Sequence, residues 1–181
     1  GGDYHSMAIK VNGTLWAWGR NGAGQLGVDD TTNRYAVTRV GSDADWAAVA
    51  AGEWHTLGLK TDGTLWAWGN NSHGELGLGD SDARHAPTQV GSDADWVAIA
   101  AGGAHSLAAK SDGTLWAWGE NAYGQLGLDD TSPRNVPTQV AGSGWVSVSA
   151  GTQHSLATRN DGTLWAWGYN GSWQLGLGDG T

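Results

Sequence analysis

A period of about fifty residues runs through this chain of 181 residues and limits what it can fold into. Four His-Ser or His-Thr pairs mark the period. They begin at His5, His55, His105 and His154, so the spacings are 50, 50 and 49 residues. A unit that recurs at this length cannot bury its apolar face alone, and neighbouring units must stack to form a core.

Each copy contains a predicted β-hairpin. Residues 106–110 alternate as a short strand, and residues 114–119 read Thr-Leu-Trp-Ala-Trp-Gly as a second one. The pairs between the strands are Asn12-Gly13, Asp62-Gly63, Asp112-Gly113 and Asp161-Gly162. Asn-Gly and Asp-Gly tolerate positive φ, so they predict two-residue primed turns and four hairpins in all.

Two more strands complete the period. The Pro-Thr-Gln-Val segments at 87–90 and 137–140 fit an outer strand, and the small apolar run at 96–102 fits a strand at the crowded centre of a ring. Four strands per period predict an all-β protein, a β-propeller built from four-stranded antiparallel blades. We expect one repeat domain over 1–181, with copies near 1–50, 51–100 and 101–149 and a partial copy at 150–181.

The strand count predicts an incomplete ring. Four hairpins alternate with only three outer-plus-inner segments, at 31–51, 81–101 and 131–150. Both end blades would then expose strand edges. Such edges pair with further strands, so we expect either a longer propeller or copies of the chain that complete one another as a homo-oligomer.

Three recurring segments resemble the regulator of chromosome condensation repeat family. They are Ala-Ala-Gly-x-x-His, Asp-Gly-Thr-Leu-Trp-Ala-Trp-Gly and Asn-x-x-Gly-Gln-Leu-Gly, and together they cover essentially the whole chain. The resemblance implies a propeller ring of seven blades, which is more than this chain can build alone. The chain also resembles a bacterial β-lactamase inhibitor propeller with this repeat, whose enzyme-binding face uses aromatic residues in rim loops.

Composition narrows the classes of partner. The chain has 18 acidic and 9 basic residues, a formal net charge of −9, which disfavours nucleic acid as a partner. No apolar stretch is long enough to predict a membrane span. The absence of cysteine excludes disulfides, thiolate metal sites and cysteine nucleophiles, and it leaves the cellular compartment open.

The repeated polar residues are interpreted as structural. The four histidines suggest a metal ring as one interpretation, but we expect each imidazole to bond backbone groups of a neighbouring loop. The acidic pairs near Asp30, Asp80 and Asp130 are each followed by an arginine, which favours Asp–Arg bridges or plain solvated charge over calcium binding. His-Ser neighbours on a strand point to opposite faces, so we predict no catalytic residue, metal site or cofactor.

Paired tryptophans recur two positions apart, as in Trp66 and Trp68, which places both rings on one face of a strand. Their strict period favours packing between blades over sugar stacking. We expect replacement of Trp66 by alanine to cost about 3 to 5 kcal/mol as a core truncation.

Positions that vary while their surroundings repeat are the candidate binding residues. The residue before each repeated histidine reads Tyr4, Trp54, Ala104 and Gln153. Tyr4 and Trp54 are predicted to contact a partner protein because large aromatics anchor protein interfaces. Tyr123 and Trp173, in the Asn-x-x-Gly loops, carry the same prediction.

The leading functional hypothesis is a non-catalytic protein-interaction scaffold, with enzyme inhibition as its most specific version. One alternative is a self-assembling propeller fragment or an amplified repeat array. A second, implied by the family's namesake, is guanine nucleotide exchange on a small GTPase, which the uninterrupted repeat lengths and the negative charge disfavour. A third is a carbohydrate-binding or lyase propeller, which requires His or Glu side chains converging in a central funnel.

Overall fold

The computed structural model describes residues 1–178, and these fold entirely as β-strands and loops. The first blade contains β1 (His5–Ile9), β2 (Leu15–Gly19) and β3 (Arg34–Arg39). The second contains β4 (Trp46–Ala51), β5 (His55–Lys60), β6 (Leu65–Gly69) and β7 (Arg84–Gln89). The third contains β8 (Trp96–Ala101), β9 (His105–Lys110), β10 (Leu115–Gly119) and β11 (Arg134–Val140). The fourth contains β12 (Trp145–Ala150), β13 (His154–Arg159) and β14 (Leu164–Gly168). The described chain contains no helix that could cross a membrane.

The sheets confirm the predicted blades. Strand order is β4-β5-β6-β7 in the second blade and β8-β9-β10-β11 in the third, with every pairing antiparallel. Within residues 1–178 the first blade has no inner strand and the fourth no outer strand. Strand β8 contacts both β4 and β12, so the small apolar segments form the centre, as the sequence predicts.

The hairpin turns correct one prediction. Asp62 does not have positive φ; Gly63 does, at 82°, in the segment 61–64 that joins β5 to β6. The amide of Gly63 donates to the carbonyl of Lys60 at 3.0 Å, and the amide of Lys60 donates to the carbonyl of Thr64 at 3.1 Å. The predicted two-residue primed turn is therefore wrong. The aspartate serves instead as an acceptor, because Asp62 Oδ1 bonds the amide and the hydroxyl of Thr64.

The core lies between blades and is divided into three clusters, each shared by two neighbours. Trp68 and Trp118 are 0% exposed. The indole Nε1 of Trp68 donates to the carbonyl of Gln25 in the preceding blade at 3.0 Å. Trp66 differs from Trp68, because it is only half-buried and donates to Thr64 of its own hairpin. Packing between blades is confirmed, but the two rings of a pair are not equally buried.

The repeated histidines join each blade to the next. Their Nε2 atoms lie at hydrogen-bond distance from hydroxyls one repeat ahead: His5 to Thr56 at 2.8 Å, His55 to Ser106 at 3.0 Å and His105 to Ser155 at 2.9 Å. Each hydroxyl in turn donates to a loop carbonyl of the preceding blade, at Gln25, Glu75 and Gln125. The structural role is as predicted, but the expected partner is wrong. Because histidine and its Ser or Thr neighbour point to opposite faces, each imidazole meets the next blade's hydroxyl, not loop backbone.

Burial between blades keeps these imidazoles neutral. Removal from water lowers the pKa of His55 to about 3 and the pKa of His105 to about 4. The pKa of His5 also falls to about 4, chiefly through burial and secondly through the nearby N-terminal charge. Neighbouring repeated histidines lower the pKa of His55 and His105 further.

Candidate protein-binding rim

Two kinds of loop meet at the same end of the second and third blades, and the equivalent segments of the first and fourth blades lie at that end too. One joins the inner strand to the second strand, as at 52–54, and the other joins the third strand to the outer strand, as at 70–83. We call this end the binding rim. The hairpin turns and the outer-to-inner connections lie at the opposite end. All four predicted contact residues, Tyr4, Trp54, Tyr123 and Trp173, are therefore on one rim.

Tyr4 and Trp54 form a cluster across the first two blades. Their ring centroids are 5.0 Å apart, with the planes inclined at 35°. The guanidinium of Arg20 lies 4.6 Å from the centroid of Trp54 and 5.3 Å from that of Tyr4. We call these three residues the first aromatic cluster. Tyr4 is 47% exposed, and the indole of Trp54 donates to Glu53 Oε1 at 2.9 Å.

A second cluster crosses the third and fourth blades. The rings of Tyr123 and Tyr169 meet edge to face with centroids 5.0 Å apart, and Tyr123 is 47% exposed. Trp173 is the most exposed aromatic of this rim, at 71%, and it makes no ring contact with either tyrosine. The structure therefore joins Tyr123 to Tyr169, and Trp173 is not part of this cluster.

Trp173 occupies an unexpected place in its loop. Its amide donates to the carbonyl of Asn170, as the amides of Gly74 and Gly124 donate to Asn71 and Asn121. Trp173 thus stands where the other loops have glycine, with φ at 58°. This differs from the prediction, which placed it at a variable position of the loop. Residues with bulky side chains uncommonly adopt the left-handed backbone conformation. The exposed ring of Trp173 is therefore carried by a backbone in a sparsely populated conformation.

Sequence reasoning missed Arg20 and Tyr169. Both directly follow the glycine that ends the third strand of their blade, where the other two blades have Asn70 and Glu120. Their amides donate to the carbonyls of the residue before the repeated histidine, at 2.9 Å in both blades. The signal was present in the sequence, because this position also varies while its neighbours repeat.

Asparagine, aspartate and arginine hold the long rim loops. Asn21 Oδ1 accepts the amide of Leu26, and its Nδ2 donates to the carbonyl of Asp30. The Asp–Arg bridges that the sequence predicts are confirmed: Asp30–Arg34 at 2.5 Å, Asp80–Arg84 at 2.6 Å and Asp130–Arg134 at 2.6 Å. The hydrogen bond from Arg34 lowers the pKa of Asp30 below its ordinary value. These contacts give the rim a fixed shape.

The centre of the same rim opens into a cavity of about 190 Å³. Glycine and alanine line most of it, with Asp3 and Glu53 as its acidic side chains. The repeated histidines His5, His55 and His105 are buried between blades and do not line it. Within residues 1–178 no three His, Cys, Asp or Glu side chains are placed to hold a metal ion. No observation therefore favours the carbohydrate or lyase alternative.

Sequence comparison agrees with the blade geometry. The pattern of the regulator of chromosome condensation (RCC1) repeat matches residues 12–59, 62–109 and 112–158. The chain belongs to the regulator of chromosome condensation repeat family. A second pattern of the same RCC1 repeat, in another frame, matches residues 46–75, 96–125 and 145–174. No curated protein sequence gives a significant match to this RCC1-repeat chain.

Solved structures of RCC1-repeat proteins are similar to this chain. Human WBSCR16 is 27% identical with a TM-score of 0.83, covering 93% of this chain and 46% of that one. Yeast RCC1 (Prp20), crystallised bound to Kap60, is 26% identical with a TM-score of 0.86, covering 98% and 44%. Prp20p of Saccharomyces cerevisiae, described with its binding to Gsp1p and histones, is 26% identical with a TM-score of 0.85, covering 98% and 46%. The chain thus spans a little under half the length of each.

Proposed function

We propose that this chain is a non-catalytic scaffold whose binding rim holds a partner protein. The observation that carries the proposal is the placement of the aromatic residues on this rim. Tyr4 and Trp54 form one cluster and Tyr123 and Tyr169 another, each across two blades of the same rim. All occupy positions that differ from blade to blade, so the repeat itself does not require them.

The energetics of protein interfaces and the partners of similar solved proteins both support a protein partner. Tyrosine and tryptophan supply large contact areas at low conformational cost, and they dominate the energetics of protein interfaces. The loops that carry them are held by hydrogen bonds and ion pairs, so little order is lost on binding. Among similar structures, yeast RCC1 (Prp20) was crystallised with Kap60, and Prp20p is described as binding Gsp1p and histones.

Enzyme inhibition is the most specific form of this proposal. The resemblance to a β-lactamase inhibitor propeller supports it, because the aromatic rim loops of that protein contact its enzyme. Nucleotide exchange has no comparable support in the described residues. The second and third blades have strands of nearly equal length, and their rim loops at 70–83 and 120–133 match in length, with no inserted segment.

Affinity capture tests the proposal with three immobilised baits: the wild-type chain, the double variant Tyr4→Ala/Trp54→Ala and the control Tyr35→Ala. Tyr35 is 97% exposed at the start of the outer strand β3 and is not part of the first aromatic cluster, so the control removes a similar exposed ring from another position. We expect the wild type and the control to retain the same partner and the double variant to lose it. Circular dichroism and thermal unfolding check that all three baits are folded.

The outcome distinguishes the scaffold role from the inhibitor role. Partners retained equally by all three baits would contradict a binding role for the first aromatic cluster. If a retained partner is an enzyme, its activity is measured with increasing amounts of the wild-type chain. Full activity at saturation would exclude the inhibitor role and leave the scaffold role standing.

Self-association through the terminal blades is a second candidate function, and unequal exposure of equivalent residues supports it. Gly27, Gly77 and Gly127 each lie against the second tryptophan of the pair in the next blade, so closely that a methyl group there would collide with the indole. Gly176 has no such neighbour in the described chain. Leu164 is 68% exposed, whereas Leu15, Leu65 and Leu115, which occupy the same place in other blades, are 0% exposed. We propose that the fourth blade of one copy covers the first blade of another, with Trp18 against Gly176.

Light scattering over a range of concentrations tests this second candidate. We expect the 181-residue chain to exceed the 18.8 kDa of a monomer as concentration rises, because the association buries Leu164. The variant Leu164→Asp is expected to remain near 18.8 kDa. The control Val11→Asp, in an exposed hairpin turn, is expected to behave as the wild type. A wild-type mass of 18.8 kDa at every concentration would contradict self-association.

A further inference from the structure

Arg20 is placed on the binding rim by its main chain alone. Its amide donates to the carbonyl of Tyr4 at 2.9 Å, and the same bond recurs at Asn70, Glu120 and Tyr169. Because only main-chain atoms form this bond, the fold accepts a different side chain at this position in each of the four blades. An arginine at this position is therefore not required by the fold, and its side chain is exposed.

The side chain of Arg20 is nevertheless ordered by contact. Its guanidinium lies over Trp54 at 4.6 Å and over Tyr4 at 5.3 Å, so it contacts rings from two different blades. Stacking uses the flat face of a guanidinium, whereas its five N–H groups lie in the plane and stay available to acceptors. The first aromatic cluster thus presents the hydrogen-bond donors of Arg20 at the surface.

Arg20 also differs from most other cations in this chain. Arg34, Arg84 and Arg134 each pair with an aspartate, and Lys60 and Lys110 each pair with two. No carboxylate of residues 1–178 lies within 4 Å of the Arg20 guanidinium. Acidic residues outnumber basic ones 18 to 9 in the sequence, so an arginine on the rim without an acidic partner is a local exception to the charge of the whole chain.

We propose that the first aromatic cluster recognises an aspartate or glutamate on a loop of the partner protein, with Arg20 as its counter-charge. This inference rests on the proposed function, since it names the chemistry of the partner at the same site. A carboxylate matches the planar donor pattern of guanidinium with two parallel hydrogen bonds. The rings of Tyr4 and Trp54 exclude water around that pair and pack against the apolar groups that flank the carboxylate, which strengthens the interaction.

A phage-displayed library of constrained loops, selected on the wild-type chain, tests the inference. Loops that bind the wild type and not the Tyr4→Ala/Trp54→Ala variant are rim-directed, and we expect a required Asp or Glu in them. Changing Arg20→Gln, or that loop residue to its amide, is expected to weaken binding about tenfold, which corresponds to about 1.4 kcal/mol. Both changes together are expected to weaken it no more than either alone, as for two groups that act as a pair.

The control is Arg39→Gln, which removes the same charge from an exposed arginine on β3 and is expected to leave binding unchanged. Thermal unfolding shows whether each variant is folded. Rim-directed loops that bind Arg20→Gln as tightly as the wild type would overturn the carboxylate inference while the proposed function stands. A library that yields no loop sensitive to Tyr4 and Trp54 would contradict both.

Discussion

Replacement of Trp68 by alanine is expected to lower the free energy of unfolding by about 3 to 5 kcal/mol. Trp68 is 0% exposed and belongs to the cluster that joins the first two blades. Its truncation leaves a cavity between blades that rigid strands cannot close. The carbonyl of Gln25 loses the indole donor but keeps the hydroxyl of Thr56, so lost packing accounts for most of the cost. Urea unfolding followed by far-ultraviolet circular dichroism measures it.

Trp66→Ala is the matched control, because it removes the same side chain two positions away. Trp66 is half-buried, and its indole bonds Thr64 of its own hairpin. We therefore expect a clearly smaller loss than for Trp68, which revises the value that the sequence suggests for Trp66. Equal losses at the two positions would contradict the unequal burial of the pair.

Acidification from pH 7.5 to pH 5 is expected to cost about 2 kcal/mol for each of the three buried histidines. Burial lowers the pKa of His5, His55 and His105 to about 4, 3 and 4, whereas an unfolded chain holds histidine near its ordinary value of 6.5. Between these values the unfolded state binds protons and the folded state does not. The contribution of these histidines to the free energy of unfolding is therefore fully present above pH 6.5 and is lost as pH drops toward 4. Urea unfolding at a series of pH values measures the slope.

His55→Gln is expected to make that slope shallower by about one proton at pH 5, because one of three buried imidazoles is gone. The variant loses stability at pH 7.5 as well, since Ser106 loses its imidazole partner. A control variant, His73→Gln, changes an exposed loop histidine and is expected to keep the wild-type slope. A slope that His55→Gln leaves unchanged would show that the buried histidines do not govern acid stability.

Elements set by short-range pattern could be predicted from the sequence. The hairpins, the inner strand at β8 and the Asp–Arg bridges all follow from neighbours within one repeat. The turn type could not be predicted, because aspartate favours turns for two reasons. It tolerates positive φ, and its side chain accepts hydrogen bonds from the residues that follow, as Asp62 does. Only the backbone geometry shows which of the two is used.

Contacts between blades were harder to predict, because they join residues about fifty positions apart whose relative orientation depends on stacking. The sequence placed each imidazole against loop backbone, and the structure places His55 against the hydroxyl of Ser106. Likewise, the pairing of Tyr4 with Trp54 and the contact of Arg20 with both rings depend on how two blades meet. Variation at position 20 was visible in the sequence, but nothing there showed which rings it would join.

The main-chain bond that anchors position 20 and its equivalents separates the evolution of recognition from the evolution of the fold. Four blades already present arginine, asparagine, glutamate and tyrosine on the same anchor, at nearly the same hydrogen-bond length. A substitution there changes the chemistry offered to a partner while the contacts that hold neighbouring blades stay as they are. New specificities can therefore accumulate one side chain at a time, and a blade that is duplicated brings a further position free to diverge.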